Sequence, residues 1–220
     1  MLRIKICGIT NLDDARSAID AGADAIGLNF FRKSRRFVEP EIARTISASL
    51  PASVTKVGVF VNHSAGEIAE ISKLVGLDYI QLHGDEQPQL LAELPTNVGV
   101  VRAHRCTKDG LAPLAQYLNE CRSNGRAPDA VLIDADAGAE FGGTGELADW
   151  SLVARERTLL SGVPLILAGG LTPSNVNAAI AAVHPDAVDV ASGVEREPGF
   201  KDEELVAQFI SVAKLAFMDS

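Results

Sequence analysis

Residues suited to acid–base chemistry stand at the ends of short apolar runs. Cys7 closes residues 4–7, His83 follows residues 78–82 and Asp134 follows residues 129–133. A thiol can act as a base where a neighbouring cation such as Lys5 favours its thiolate. A carboxyl group in a poorly hydrated pocket has a raised pKa, as a general acid requires. The simpler alternatives are that Cys7 only packs and that Asp134 is a cap or loop carboxylate.

Glycine-rich turns form a second group, suited to binding an anion. Gly143 lies within a run of glycines, Gly170 ends the pair Gly169-Gly170, and Ser192 precedes Gly193. Glycine allows close backbone approach, so amide N–H groups can hold a phosphate. Tight turns without a ligand are the alternative. The formal net charge of −9 argues against nucleic acid or an anionic membrane as partner, and a small phosphorylated molecule would have to be held by local donors against the overall field.

A repeat indicates which elements position these residues. Four segments, 24–28, 78–82, 129–133 and 186–190, each begin with aspartate and continue with alternating branched residues, 51 to 57 residues apart. Four further apolar runs lie at residues 4–7, 57–61, 98–103 and 165–168. Helical patterns separate them, including a capping box at Ser64–Glu67, a start at Thr172-Pro173, and a last helix that opens with Asp202 and places Leu205, Phe209 and Val212 on one stripe. Strands alternating with helices predict an α/β protein, a single parallel (β/α)8 barrel spanning residues 1–220. An open doubly wound sheet is the alternative.

The strand period of two assigns faces. Ile26, Leu28, Ile80 and Leu82 are expected to face the helices. Cys7, Asn29, His83 and Asp134 then point into the barrel at the carboxyl ends of four strands, where barrel enzymes place their chemistry. Asp189 lies deeper on the last strand and should bond a substrate hydroxyl or a neighbouring donor.

The composition limits the classes of protein to which this chain can belong. No apolar run approaches the ~20 residues that span a bilayer, and the three cysteines are too few for a disulfide framework, so a cytoplasmic protein is expected. The histidines show no ligand spacing, so no metal is predicted. The sequence does not distinguish a monomer from a homodimer.

Ordered motifs along nearly the whole chain resemble those of the phosphoribosylanthranilate isomerase family of tryptophan biosynthesis. They are Lys5 to Thr10, Gly22 to Gly27, Gln81 to Glu86, Gly142 to Gly145, Leu167 to Leu171, Asp189 to Glu195 and Gly199 to Asp202. The resemblance implies a cofactor-independent Amadori rearrangement, an aldose–ketose isomerisation of N-(5-phosphoribosyl)anthranilate to the carboxyphenylamino-deoxyribulose phosphate.

The resemblance also implies residue roles. Cys7 corresponds to the general base, Asp134 to the general acid and Asp189 to an active-site aspartate. Arg36 corresponds to the arginine that contacts the anthranilate group, although Ser34-Arg35-Arg36 departs from the usual Ser-Pro-Arg and leaves Arg35 as an alternative. His83 is a further substrate-binding candidate. The phosphate would be held by Gly143, Gly170, Ser192 and Gly193.

Three other functions fit the same residue pattern. They are a histidine-pathway type of barrel isomerase with carboxylate bases, a dual-substrate isomerase, and a non-catalytic barrel that binds sugar phosphates.

Overall fold

A computed structural model describes residues 3–134 and 150–219 of the chain. Within them, eight parallel strands close into a barrel in sequence order, with β1 paired to both β2 and β8. The strands are β1 Ile4–Cys7, β2 Ala25–Asn29, β3 Thr55–Phe60, β4 Tyr79–Leu82, β5 Gly99–Arg105, β6 Ala130–Asp134, β7 Leu165–Ala168 and β8 Ala187–Val190. The (β/α)8 architecture is thereby confirmed.

Helices connect the strands around the outside of the barrel. They are α1 Leu12–Asp20, α2 Pro40–Ser49, α3 Ala65–Val75, α4 Leu90–Glu93, α5 Ala112–Ser123, α6 Trp150–Glu156, α7 Val176–Val183 and α8 Glu203–Met218. A small antiparallel pair, β9 Glu195–Glu197 and β10 Phe200–Lys201, precedes α8. None of the helices within these described ranges is long and apolar enough to cross a membrane.

The repeated aspartates fix the lower rim of the barrel. Each stands just before an even-numbered strand, and its carboxylate accepts a hydrogen bond from the first or second amide of the preceding odd-numbered strand. The pairs are Asp24 with Ile4 (2.9 Å), Asp78 with Lys56 (2.8 Å), Asp129 with Val100 (2.7 Å) and Asp186 with Leu165 (2.8 Å). The sequence repeat therefore reflects four strand pairs, each joined at its base by one carboxylate.

The predicted strand faces are confirmed. Ile26, Leu28, Ile80 and Leu82 belong to the core between strands and helices. A smaller apolar cluster, including Leu132 and Ile166, fills the barrel interior. Lys5, Gln81 and Asp189 are also buried. The strand period of two places all three on the inward face of the barrel, the face that continues to the open carboxyl ends of the strands.

Two helix predictions need correction. The capping box at Ser64 and Glu67 is present, but α7 begins at Val176 rather than at Thr172-Pro173, because Thr172 to Asn175 form a separate turn. The helix α8 begins at Glu203 with Asp202 as its N-cap, one residue later than expected, and its buried stripe contains Val206, Phe209, Ile210, Ala213 and Ala216. Leu205 and Val212 are only partly buried, because the face packed on the barrel is displaced by about one residue.

Candidate active site

A cavity of about 250 Å³, lined by both polar and apolar residues, opens at the carboxyl ends of the barrel strands. Most of the residues predicted for the site line it. Its predicted members are Cys7, Asn29, Arg36, His83, Asp134, Gly170, Asp189 and Ser192. Cys7 on β1 and Asp134 on β6 thus share one cavity, although 127 positions separate them in the sequence.

The Cys7 thiol lies beside a buried ion pair. The Lys5 ammonium is 2.9 Å from Asp189 Oδ1 and within hydrogen-bonding reach of Cys7. Gly27 on β2 makes room for this arrangement, since a Cβ there would fall 2.6 Å from Cys7 Sγ and 3.1 Å from Lys5 Cε. The packing of β1 against a glycine therefore lets a thiol and an ammonium sit side by side.

The charges act in opposite directions on the thiol. Burial raises the pKa of Cys7, and the Asp189 carboxylate raises it further, whereas the ammonium groups of Lys5 and Lys201 lower it. Burial alone would lower the pKa of Lys5, but Asp189 and Cys7 raise it above its ordinary value. Lys5 therefore stays protonated and is the main group that favours a thiolate.

His83 faces the Asp134 carboxylate across the cavity, with 3.9 Å between Nε2 and Oδ2. The Gln81 amide nitrogen lies 3.0 Å from His83 Nδ1. An amide nitrogen only donates, so Nδ1 accepts and the neutral ring carries its proton on Nε2, toward Asp134. Burial lowers the pKa of His83, which Asp134 partly offsets, so the ring is neutral near pH 7.

Arg36, rather than Arg35, reaches the cavity. The Arg35 side chain is exposed, while Arg36 lines the cavity and forms a two-point ion pair with Glu195, through Nε (2.7 Å) and Nη2 (2.6 Å). Lys201 bonds the same carboxylate at 2.9 Å. This three-residue cluster was not predicted, because the ion pair of Arg36 and Glu195 joins positions 159 residues apart and no local pattern marks it.

The glycine turns occupy one side of the cavity mouth. Gly170 has a φ of 61° and lines the cavity with Ser192, which begins a short 3-10 turn after β8. The backbone N–H groups of Gly170 and Ser192 donate to no atom within the described residues. Gly193 does not line the cavity, and a side chain there would collide with the Leu171 carbonyl. Gly143 lies outside the described residues.

The part of the chain that the structure describes contains no group of three or more His, Cys, Asp or Glu side chains arranged to hold a metal ion. The other two cysteines, Cys106 and Cys121, are buried and reduced.

Known proteins resemble this chain over nearly its whole length. Residues 4–212 match the family described as N-(5'-phosphoribosyl)anthranilate (PRA) isomerase. The N-(5'-phosphoribosyl)anthranilate isomerase of Thermotoga neapolitana is 44% identical over 214 residues, covering 97% of this chain and 99% of that protein.

Two solved structures agree. The crystal structure of phosphoribosyl anthranilate isomerase from Thermotoga maritima superposes with a TM-score of 0.85 at 41% identity, covering 97% of this chain and 99% of that one. A phosphoribosyl anthranilate isomerase in complex with reduced 1-(o-carboxyphenylamino)-1-deoxyribulose 5-phosphate superposes with a TM-score of 0.82 at 39% identity, with the same coverage. The chain therefore belongs to the phosphoribosylanthranilate isomerase family of tryptophan biosynthesis.

Proposed function

We propose that this isomerase converts N-(5-phosphoribosyl)anthranilate to its carboxyphenylamino-deoxyribulose phosphate by an Amadori rearrangement in which Asp134 is the general acid and Cys7 the general base. The observation that carries the proposal is that both side chains line one cavity, Cys7 from β1 and Asp134 from β6 of the closed barrel. An acid and a base on two strands of one cavity can act on the ring oxygen and on the second carbon of one sugar, both attached to its first carbon, without moving the sugar.

In the first step Asp134 gives its proton to the furanose ring oxygen. The bond from that oxygen to the first sugar carbon breaks, and the lone pair of the anthranilate nitrogen forms a protonated Schiff base. The His83 Nε2–H points toward Asp134 and stabilises the carboxylate left behind. Asp134 ends this step ionised.

In the second step the Cys7 thiolate removes the proton from the neighbouring sugar carbon. The electron pair of that C–H bond forms the carbon–carbon double bond of an enolamine, and the Schiff-base nitrogen becomes neutral. Tautomerisation then moves a proton from the enol oxygen to the first carbon and gives the ketone. Transfer of a proton from the Cys7 thiol to Asp134, through water, restores the starting state.

The reaction is redox-neutral within the substrate. The first sugar carbon gains one hydrogen and its neighbour loses one, so the conversion needs no external oxidant or reductant, and we propose that the enzyme works without a cofactor. The substrate itself is an anion at both ends, with a phosphate and an aromatic carboxylate.

The cavity offers a partner for each end. The phosphate is held by the amides of Gly170 and Ser192, since backbone N–H groups bind a dianion without added cationic side chains. Gly193 and Gly143 are not assigned to it, because Gly193 does not line the cavity and Gly143 lies outside the described residues. Arg36 receives the anthranilate carboxylate, and Asp189 accepts a hydrogen bond from a sugar hydroxyl while Lys5 balances its charge.

The test is the fluorescence-monitored turnover of phosphoribosylanthranilate by Cys7→Ala and Asp134→Asn. Each substitution should lower kcat by roughly 10²- to 10⁴-fold, the usual contribution of a positioned acid or base. Binding of the reduced product analogue should stay within a few-fold of wild type. Cys121→Ala is the matched control, because it removes a buried thiol of α5 outside the cavity and should leave kcat unchanged. Retention of most of the turnover by Cys7→Ala would refute the thiol base and favour carboxylate chemistry.

A further inference from the structure

Three charged side chains form a cluster at the cavity edge that the proposed proton transfers do not use. The Glu195 carboxylate, 4% exposed, accepts two hydrogen bonds from Arg36 and one from Lys201. One anion thus serves two cations. The cluster keeps a formal charge of +1 in a protein whose net charge is −9.

Lys201 is placed to offset the charge of Glu195 rather than to contact the substrate. Its side chain is 1% exposed, and its ammonium also donates to the Ala191 carbonyl at 3.0 Å. Its backbone N–H donates to the Asp14 carboxylate at 2.9 Å, which fixes β10 against α1. Lys201 does not line the cavity. Burial lowers the pKa of Lys201, and the Glu195 carboxylate partly offsets this effect. The two acceptors around the ammonium favour its protonated form.

Glu195 holds the Arg36 guanidinium in one orientation and leaves the N–H donors of Nη1 unused. Its Nε and Nη2 atoms both bond Glu195, and the planar guanidinium cannot rotate without losing one of these bonds. Its Nη1 donates to no atom of residues 3–134 or 150–219. An arginine paired with one carboxylate is neutral as a unit and attracts an anion weakly. Lys201 is the second cation, and it leaves the cluster with a net positive charge.

We propose that Glu195 and Lys201 are specificity-determining positioning residues, in which Glu195 orients the Arg36 guanidinium and Lys201 offsets the charge of Glu195 so that Arg36 retains a net positive site for the carboxylate of the substrate's aromatic ring. This inference rests on the proposed function, because it takes a substrate with that carboxylate. It adds a role for two residues that do not contact the substrate.

The experiment measures the dissociation constants of two reduced analogues. One is reduced carboxyphenylamino-deoxyribulose phosphate, and the other is the anilino compound that lacks only the ring carboxylate. Both carry the same phosphate, so the ratio of their dissociation constants isolates recognition of the carboxylate. The ratio is measured for wild type, Arg36→Met, Lys201→Met, and Lys201→Met combined with Glu195→Gln.

Charge restoration distinguishes the proposed role from a packing role. Lys201→Met makes the cluster neutral and should lower the preference for the carboxylated analogue about tenfold. Adding Glu195→Gln returns the charge to +1 and leaves one acceptor for Arg36, so most of the preference should return. Lys56→Met is the matched control, because it removes a lysine ion-paired to Asp78 at the lower rim of the barrel and should leave the ratio unchanged.

The outcomes separate this inference from the proposed function. If wild type shows no preference, or Arg36→Met does not reduce it, the assignment of the anthranilate contact fails and the inference fails with it. If Arg36→Met reduces the preference but Lys201→Met leaves it within twofold of wild type, only the inference is overturned. It is also overturned if the double variant recovers nothing.

The proposal can still be tested if Lys201→Met fails to fold. Lys201→Met leaves the buried Glu195 with one partner fewer, whereas the double variant removes both charges and is expected to fold more readily. If only the double variant folds, a ratio near wild type supports the inference, and a ratio as low as that of Arg36→Met refutes it.

Discussion

Replacing Lys5 with methionine removes the cation that we expect to keep Cys7 reactive. The Lys5 ammonium bonds Asp189 at 2.9 Å and lies within hydrogen-bonding reach of the Cys7 sulfur, and its side chain is 1% exposed. Methionine has a similar length and apolar stem, so it fills the space without the charge. The Asp189 carboxylate then remains beside the thiol without its counterion.

The size of the effect follows from the charge geometry. At roughly 4 Å, an ammonium and a thiolate interact by about 4 kcal/mol at an effective dielectric constant of about 20. Asp189 shares the ammonium, so about half of that energy, ~2 kcal/mol, is assigned to the thiolate. Since 1.36 kcal/mol corresponds to a factor of ten, kcat near pH 7 should fall about 30-fold.

The pKa of Cys7 determines the direction in which the pH profile of Lys5→Met should move. Burial already raises the pKa of Cys7, and Lys5 is the largest influence that lowers it. Removing Lys5 raises the pKa further, so less thiolate is present at neutral pH and more forms as the pH increases. The rising limb of the kcat profile should therefore move to higher pH, and the deficit should shrink in alkaline solution.

The assay pairs turnover with alkylation of the free enzyme by iodoacetamide, which reacts with thiolates. Cys106 and Cys121 are buried, so the rapid phase reports on Cys7. The alkylation profile of Lys5→Met should shift in the same direction as its kcat profile, and that of Lys56→Met should not shift. A loss of the same size at every pH, with an unmoved alkylation profile, would show that Lys5 has only a structural role.

Two further predictions concern backbone positions that support the site and the barrel. Gly8→Ala should lower stability by about 1 kcal/mol, because Gly8 has a φ of 78°, and should also raise KM, because the new Cβ would fall 2.5 Å from Arg36 Cδ. Gly76→Ala is its control in urea unfolding and steady-state kinetics, since Gly76 has a φ of 70° with no atom within 4 Å, and a KM change shared by both variants would contradict the steric explanation. Asp129→Ala should lower the urea midpoint by an amount equivalent to about 1–2 kcal/mol through loss of the 2.7 Å bond to the Val100 amide, and an unchanged midpoint would show that water replaces the carboxylate.

The barrel could be predicted from the sequence because its signals are local. The strand period of two and the repeated aspartates each depend on a few neighbouring residues, and together they give the number of strands and the inward face of each. The aspartate repeat was informative for a reason that the sequence does not reveal. Asp129 and its counterparts bond the preceding strand, so the repeat marks strand pairs as well as strand starts.

Helix details were predicted less well because tertiary packing decides them. Thr172-Pro173 has the residue types of a helix start, but the Thr172 amide instead donates to the Asn175 side chain and α7 begins one turn later. The stripe on α8 is ambiguous from sequence alone, because apolar residues occupy several faces of that helix. Contact with the barrel selects the face that contains Phe209 and Ile210.

The electrostatics of the candidate site depend on contacts distant in sequence. Cys7 and Asp134 could be placed together because each ends a strand, and strand ends converge in a closed barrel. Glu195 and Lys201 carry no such positional mark: each lies beyond the last barrel strand, in a two-strand pair that the apolar pattern does not indicate. Their link to Arg36 arises only when barrel closure brings the end of β8 beside the loop after β2.

That link suggests how an acidic protein can bind a substrate with two anionic ends. The overall field opposes such a substrate, so attraction must come from groups whose own charge is incompletely offset. Lys5 and Asp189 cancel each other as a pair and act mainly on the thiol, whereas Arg36, Glu195 and Lys201 leave one positive charge at the cavity edge. Catalytic activation and substrate attraction are thereby assigned to separate ion clusters, and this is why Lys5→Met should change a pH profile while Lys201→Met should change a binding ratio.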